Sequence, residues 1–321
     1  MSVKIEKLSD GINENLFAFV KYNEIEAQRG GYSNYSYWKS TFKVFSQNKA
    51  AILFLIIMVV LLIFTVIQPY LPNQKSPTEI SIDPQTNMQL RNHPPDKEFI
   101  FGTNSIGQDL WARIWSGTRT SLFIGLLVGL WEAILGIIIG ALWGYVRQLD
   151  RIITEIYNVL DNIPTTIILI LLTYIMRPSI GTMIFAMCMT GWLSMARFVR
   201  NQIVIIRDRE YNLASRCLGT PTGRIITRNL LPYLVSVIML RLALAIPAAI
   251  GSEVFLTYIG LGLPVSIPSL GNLINEGRAV MMVKQLRYQL IFPAIVLSLI
   301  TISFYIIGNV FADAADPRNH V

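Results

Sequence analysis

Residues 50–67 read AAILFLIIMVVLLIFTVI, a run without a single charge. At about 1.5 Å per helical residue such a run crosses a hydrocarbon core about 30 Å thick. It decides the class of the fold: helix in a bilayer. Working outward, comparable apolar runs follow at 121–146, 163–176, 180–198, 234–259 and 290–311. The expectation is an all-α integral membrane protein with six transmembrane helices. The third run is short and spans only if residues 156–162 enter the membrane with it. Composition agrees, with 53% hydrophobic and 15% charged residues over 321 positions.

The net charge of +7 does not read as a nucleic-acid signal, because a nucleic-acid binder gathers its cations on one soluble face. Here most of the 27 Lys and Arg residues fall in 1–49, 147–151 and 197–228, and fewer in 68–120, 177 and 278–287. The positive-inside rule then puts both termini in the cytoplasm. The first apolar run begins only near residue 50, so the first helix is expected to act as its own insertion signal, with no signal peptide. Cys188 and Cys217 fall in different environments and predict no disulfide. His93 and His320 are too far apart in the chain's topology to build a metal site.

Residues 1–48 read as a cytoplasmic N-terminal tail with an amphipathic helix, in which Trp38, Phe42 and Phe45 recur at helical spacing around Lys39 and Lys43. The same residues also read as the start of the first spanning helix. Residues 49–321 form the transmembrane domain. Within it 68–120 is an irregular extracytoplasmic loop, marked by Pro69, Pro72, Pro77, Pro84, Pro94 and Pro95, and 200–232 is a cytoplasmic loop.

The second helix carries two ladders of small residues, Gly125-Gly129-Ala133 and Gly136-Gly140-Gly144, which let helices approach closely in lipid. Four ionisable residues, Glu132, Asp161, Arg241 and Glu253, lie at membrane depth, where each is costly and a functional candidate. Arg241 and Glu253 are too far apart around and along one helix to pair, and Arg241 is near enough to an end to snorkel. Asp161 with Pro164 predicts a polar, kinked entrance to the third helix. Glu253, followed by Gly260, Gly262 and Pro264, predicts a helix that breaks soon after the acid. These five residues, Asp161, Pro164, Glu253, Gly260 and Gly262, are the candidates for a translocation path.

Residues 210–232, EYNLASRCLGTPTGRIITRNLLP, are the longest polar, helix-patterned passage between apolar runs. They predict two short helices joined at Gly219 in the left-handed conformation, with Thr220 capping the second and Pro221 just inside it. On the first, Tyr211, Ala214, Cys217 and Leu218 form a narrow apolar stripe. There is no phosphate-binding GxxxxGK[ST] motif and no credible Ser/His/Asp set, so the chain is expected not to be an enzyme. Three classes remain: a permease subunit driven by a separate ATPase, an ion-coupled secondary transporter, and a structural membrane subunit. Internal repeats would favour the second, and none is evident between the two halves.

Ala214-Ser215, Gly219 and Leu231-Pro232 resemble the cytoplasmic loop of bacterial ABC importer permeases, summarised as EAA, three residues, G, nine residues, I-x-LP. Two positions depart: Leu213 stands where the glutamate belongs, with Glu210 three positions earlier, and Asn229 replaces the isoleucine. FGTNSIGQDLWARIWSGTRTSL at 101–122, EVFLTYIGLGLPVSIPSLGNLI at 253–274 and ADAADPR at 312–318 are similar to the C-type permeases of dipeptide, oligopeptide and nickel importers. The resemblance implies a type I importer permease in the bacterial cytoplasmic membrane, working by alternating access. It further implies a second homologous permease, two cytoplasmic ATPase subunits that hold ATP and Mg, an extracytoplasmic peptide-binding receptor, and no cofactor on this chain. Glu210, Ala214, Ser215, Gly219, Leu231 and Pro232 would couple it to the ATPases. Oligopeptide is the expected substrate, and nickel or another small solute the alternative.

Overall fold

A computed structural model describes residues 37–316. The tail before Tyr37, and Arg318, His320 and the end of ADAADPR, lie outside the described residues. The elements are α1 (Tyr37–Gln47), α2 (Lys49–Ile67), α3 (Leu110–Tyr145), α4 (Arg147–Asp161), α5 (Thr165–Ile175), α6 (Ile180–Ile206) and α7 (Glu210–Cys217). They continue with α8 (Thr222–Ile225), α9 (Val235–Tyr258), α10 (Leu270–Val280) and α11 (Tyr288–Ala315). Only isolated bridges, such as Ile80 with Gln108, interrupt the all-α pattern among the described residues.

Five helical segments are long and apolar enough to cross a membrane, and α4 with α5 makes a sixth as a pair bent by 72°. The third span is therefore broken. Pro164, which has no backbone N–H and disfavours helix at the preceding residue, falls at the break after Asn162 and Ile163. On the first span only 22% of the apolar window is buried, so most of that surface faces outward, as lipid requires.

The second span begins at Leu110, eleven positions before the expected Ser121. Asp109 caps it by accepting the Ala112 N–H at 3.1 Å. The charges that made this stretch look like loop are absorbed by contacts. Arg113 is 1% exposed and meets Glu276 of α10 at 2.6 Å, while Arg119 donates to the Thr65 carbonyl at 2.7 Å. The irregular segment is correspondingly 71–109 rather than 68–120. It carries three asparagines at positive φ, Asn73, Asn87 and Asn92.

The two small-residue ladders of α3 serve different partners. A Cβ on Gly125 would lie 2.8 Å from Ile250 of α9, whereas one on Gly144 would lie 2.9 Å from the Arg200 carbonyl of α6. One half of α3 thus packs on α9 and the other on α6. A core of Leu110, Ile114 and Leu122 with Ile246, Ile250, Leu270 and Ile300 fills the first half. Another, of Ala141 and Tyr145 with Val199, Ile203, Leu230 and Leu234, fills the second.

The amphipathic stretch before residue 48 is a separate helix, since Asn48 ends α1 and caps α2 by accepting the Ala51 N–H. Only Phe45 of its stripe is buried; it meets Phe311 of α11 at 6.1 Å, and Trp38 and Phe42 remain exposed. Tyr37 Oη donates to the Ala315 carbonyl at 2.7 Å, so α1 is clasped to the last helix.

Candidate functional site

At one end of the bundle, α7 closes on a Schellman turn. The Thr220 N–H donates to the Ser215 carbonyl at 3.1 Å and the Gly219 N–H to the Arg216 carbonyl at 2.9 Å. Gly219 takes φ +75°, the left-handed geometry expected of it. The expected cap at Thr220 is not formed. Pro221 holds the cap position of α8, and Thr220's backbone is already spent on the turn.

Nor is the second short helix separate. From Thr222 the chain runs through a π turn at Ile226–Leu230 and a 3-10 turn at Leu231–Leu234 straight into α9. Pro232 explains the irregularity, because it removes a donor and crowds the preceding turn.

The apolar stripe of α7 is not the face held to the bundle. The buried side is polar. Asn212 is 0% exposed and donates to the Ile206 carbonyl at 2.9 Å. Asn229 Nδ2 reaches both Asn212 Oδ1 at 3.3 Å and Ser215 Oγ at 3.2 Å. Arg216 donates from Nε to Tyr145 Oη at 3.1 Å and sits over the Tyr145 ring. The asparagine that replaces the motif's isoleucine is therefore a latch, matched to the polar face it holds.

With that face pinned, Tyr211, Leu213 and Ala214 point outward, and Leu218 is 85% exposed. Leu213, in the glutamate's place, joins this apolar surface. Glu210 occupies the first position of α7, where an acid suits the helix dipole, and is exposed. Pro232 is exposed and Leu231 half-buried beside it. Just before α7, Asp208 gathers Arg207 at 3.3 Å and Arg147 and Arg216 at 3.4 Å. Partial burial works against its charge, but Arg147, Arg207 and Arg216 outweigh it and hold the carboxyl below the ordinary carboxylate range.

The membrane-depth candidates separate into two places. Asp161 and Pro164 line a cavity of about 350 Å³ between α3, α4, α5, α6 and α9, together with Glu132, Thr190, Ser194 and Ser252. Asp161 accepts from Tyr157 Oη at 2.9 Å and from Arg197 at 3.2 Å. In the sequence Arg197 is one more cation of the 197–228 segment, and its place on α6 opposite the kink carries no local signal of this pairing. Arg241, at the other end of α9 from Glu253, lies over the Phe198 ring at 5.1 Å.

Glu253 does not face that cavity. It is 0% exposed and packed against the start of α10. Ser121 Oγ donates to its Oε2 at 3.0 Å and itself accepts the Leu270 N–H at 3.0 Å, while Thr257 Oγ1 donates to Oε1 at 3.3 Å. Gly271 lets the carboxylate lie close, since a Cβ there would be 2.6 Å from Oε1. This is an interhelical hydrogen-bond network that ties α9 to α3 and to the start of α10. Gly260 ends α9 in a second Schellman turn at φ +83°, and Gly262 is buried against Thr257. Both glycines shape the return to α10 and line no part of the cavity.

Residues 134–321 match the family described as "Binding-protein-dependent transport system inner membrane component", and residues 36–95 match the "N-terminal TM domain of oligopeptide transport permease C". The chain is 37% identical to the oligopeptide transport system permease protein AmiD of Streptococcus pneumoniae, covering 96% of this chain and 99% of that one. It is 37% identical to the dipeptide transport system permease protein DppC of Bacillus subtilis, over 88% of this chain and 86% of the other. With the Bacillus subtilis oligopeptide permease OppC it shares 32% identity, over 96% and 98%. A solved chain of the MetNI methionine ABC transporter, in inward-facing form, aligns with a TM-score of 0.49 and 20% identity, covering 63% of this chain and 96% of that one.

Proposed function

The chain belongs to the family of binding-protein-dependent transport system inner membrane components, and from that premise we propose that it carries peptides inward across the cytoplasmic membrane by alternating access. It is a permease subunit of an ABC importer, not an enzyme, and works with ATPase and partner permease subunits. The oligopeptide and dipeptide permeases among its relatives favour peptide over nickel as the cargo. Two ATPase chains holding ATP and Mg, and an extracytoplasmic peptide receptor, complete the proposed assembly. The excess of Lys and Arg toward the α7 end supports that end, with both termini, lying in the cytoplasm. The 71–109 segment then faces the receptor.

One observation carries the coupling role. A short helix is held to the bundle by its polar side and offers Tyr211, Leu213 and Leu218 to the outside. A helix in water would turn the other way. The arrangement makes sense when an ATPase surface covers the apolar residues, with the Gly219 turn and Leu231-Pro232 passing its movement into α9. Glu210 and Ala214 belong to the same docking face, and Ser215 to the latch behind it.

Leu218→Asp tests this. The exposed side chain contributes little to the fold, so the stability of the membrane-inserted chain should stay within about 0.5 kcal/mol. ATPase subunits should no longer co-purify, and ATP-driven peptide uptake should fall at least about tenfold. Normal uptake by this variant would remove α7 from the coupling path.

A further inference from the structure

Glu132 lies near the middle of α3, about 33 Å from its start and about 20 Å from its end at 1.5 Å per residue. A carboxylate at that depth is costly unless a partner offsets it. No described residue forms a hydrogen bond or an ion pair with it. The cation that acts on it, Arg241, lies over the Phe198 ring and acts only through space, outside ion-pair distance. Gly191 of α6 makes the room: a Cβ there would collide with the Glu132 carboxylate. The acid thus lies across α6 and opens into the cavity of about 350 Å³.

Two hydroxyls on the same wall face it as acceptors. Ser252 Oγ spends its proton on the Ala248 carbonyl at 3.0 Å, and Thr190 Oγ1 spends its own on Met187 and Ala186 at 3.4 and 3.5 Å. Both hydroxyls therefore keep only lone pairs for a guest. Asp161 is already neutralised by Arg197. What remains is a carboxylate with no contact partner beside hydroxyl lone pairs, which fits a group with several N–H donors and a positive charge.

We infer that this cavity takes the free α-ammonium end of the peptide, with Glu132 as its counter-charge. The inference rests on the peptide-import reading and assigns the part of the peptide recognised within this subunit. The volume, near the lower bound of about 300 Å³ for ligand pockets, suits the end of a chain rather than its whole length.

The test uses the assembled complex of permeases and ATPases in lipid nanodiscs, without receptor. Binding of radiolabelled tetraalanine and of N-acetyl-tetraalanine is compared for wild type, Glu132→Gln and Glu132→Asp. Wild type should bind the free amine about tenfold more tightly than the acetylated form. Glu132→Gln should abolish the difference, and Glu132→Asp should retain it in part. Equal binding of the two peptides by wild type, binding of neither, or a difference that survives Glu132→Gln would overturn the assignment. ATP-driven uptake of tetraalanine by the same complex with its receptor is measured alongside. Uptake without amine discrimination sinks only the ammonium site, whereas no uptake sinks the import reading beneath it.

Discussion

Gly219 and Gly260 make the same turn at the ends of α7 and α9. Each is left-handed, each closes a Schellman pair of hydrogen bonds, and neither would meet a neighbour through an added Cβ. Their surroundings differ in every respect that matters. After Gly260 the chain folds inward: Gly262 abuts Thr257, Ser269 caps α10, and Glu253 is sealed beneath. Around Gly219 the polar groups face the bundle and the apolar ones face away. A turn motif fixes a local bend, and the burial of its neighbours decides whether the bend is scaffold or contact surface.

Three substitutions break the comparison at different points. Gly262→Val is expected to do the most damage, because the new side chain overlaps Thr257 in a buried corner. Overpacking of this kind costs about 1–3 kcal/mol, and the collision with backbone puts this site at the upper end. The yield of folded protein and its thermal midpoint in detergent report it. Glu253→Gln comes next. Its amide would point N–H groups at Ser121, whose oxygen already accepts from Leu270, at a cost of about 1–3 kcal/mol. The midpoint should fall while uptake per folded complex is retained, and an unchanged midpoint would mean that the carboxyl group carries its own proton. Gly219→Val is the mildest for the fold, with about 1–2 kcal/mol of left-handed strain and no clash. Here uptake should fall far more than stability, and parallel losses would sink the distinction between the two turns.

The spans were legible because lipid demands long apolar runs, and α2, α9 and α11 lie close to where hydropathy puts them. The first three turns of α3 were not. Arg113 and Arg119 read as loop until Glu276 and the Thr65 carbonyl, far away in the chain, are seen to receive them. The outward stripe of α7 was hidden for a related reason: helical periodicity identifies two faces without saying which is held. That choice came from Asn229, a residue that stood out only as a departure from the motif. Glu253 was visible as a costly charge, but its partners on α3 and at the start of α10 were beyond any local pattern.

The two glycine ladders of α3 bear on movement. A rod gripped by α9 along one half and by α6 along the other behaves as a shared axle between two blocks. The junction of the two ladders, between Ala133 and Gly136, would be the fulcrum, and Glu132 sits beside it. Rocking of one block against the other would leave both ends gripped while changing the gap at the centre, so the cavity's width becomes a gauge of the tilt between them.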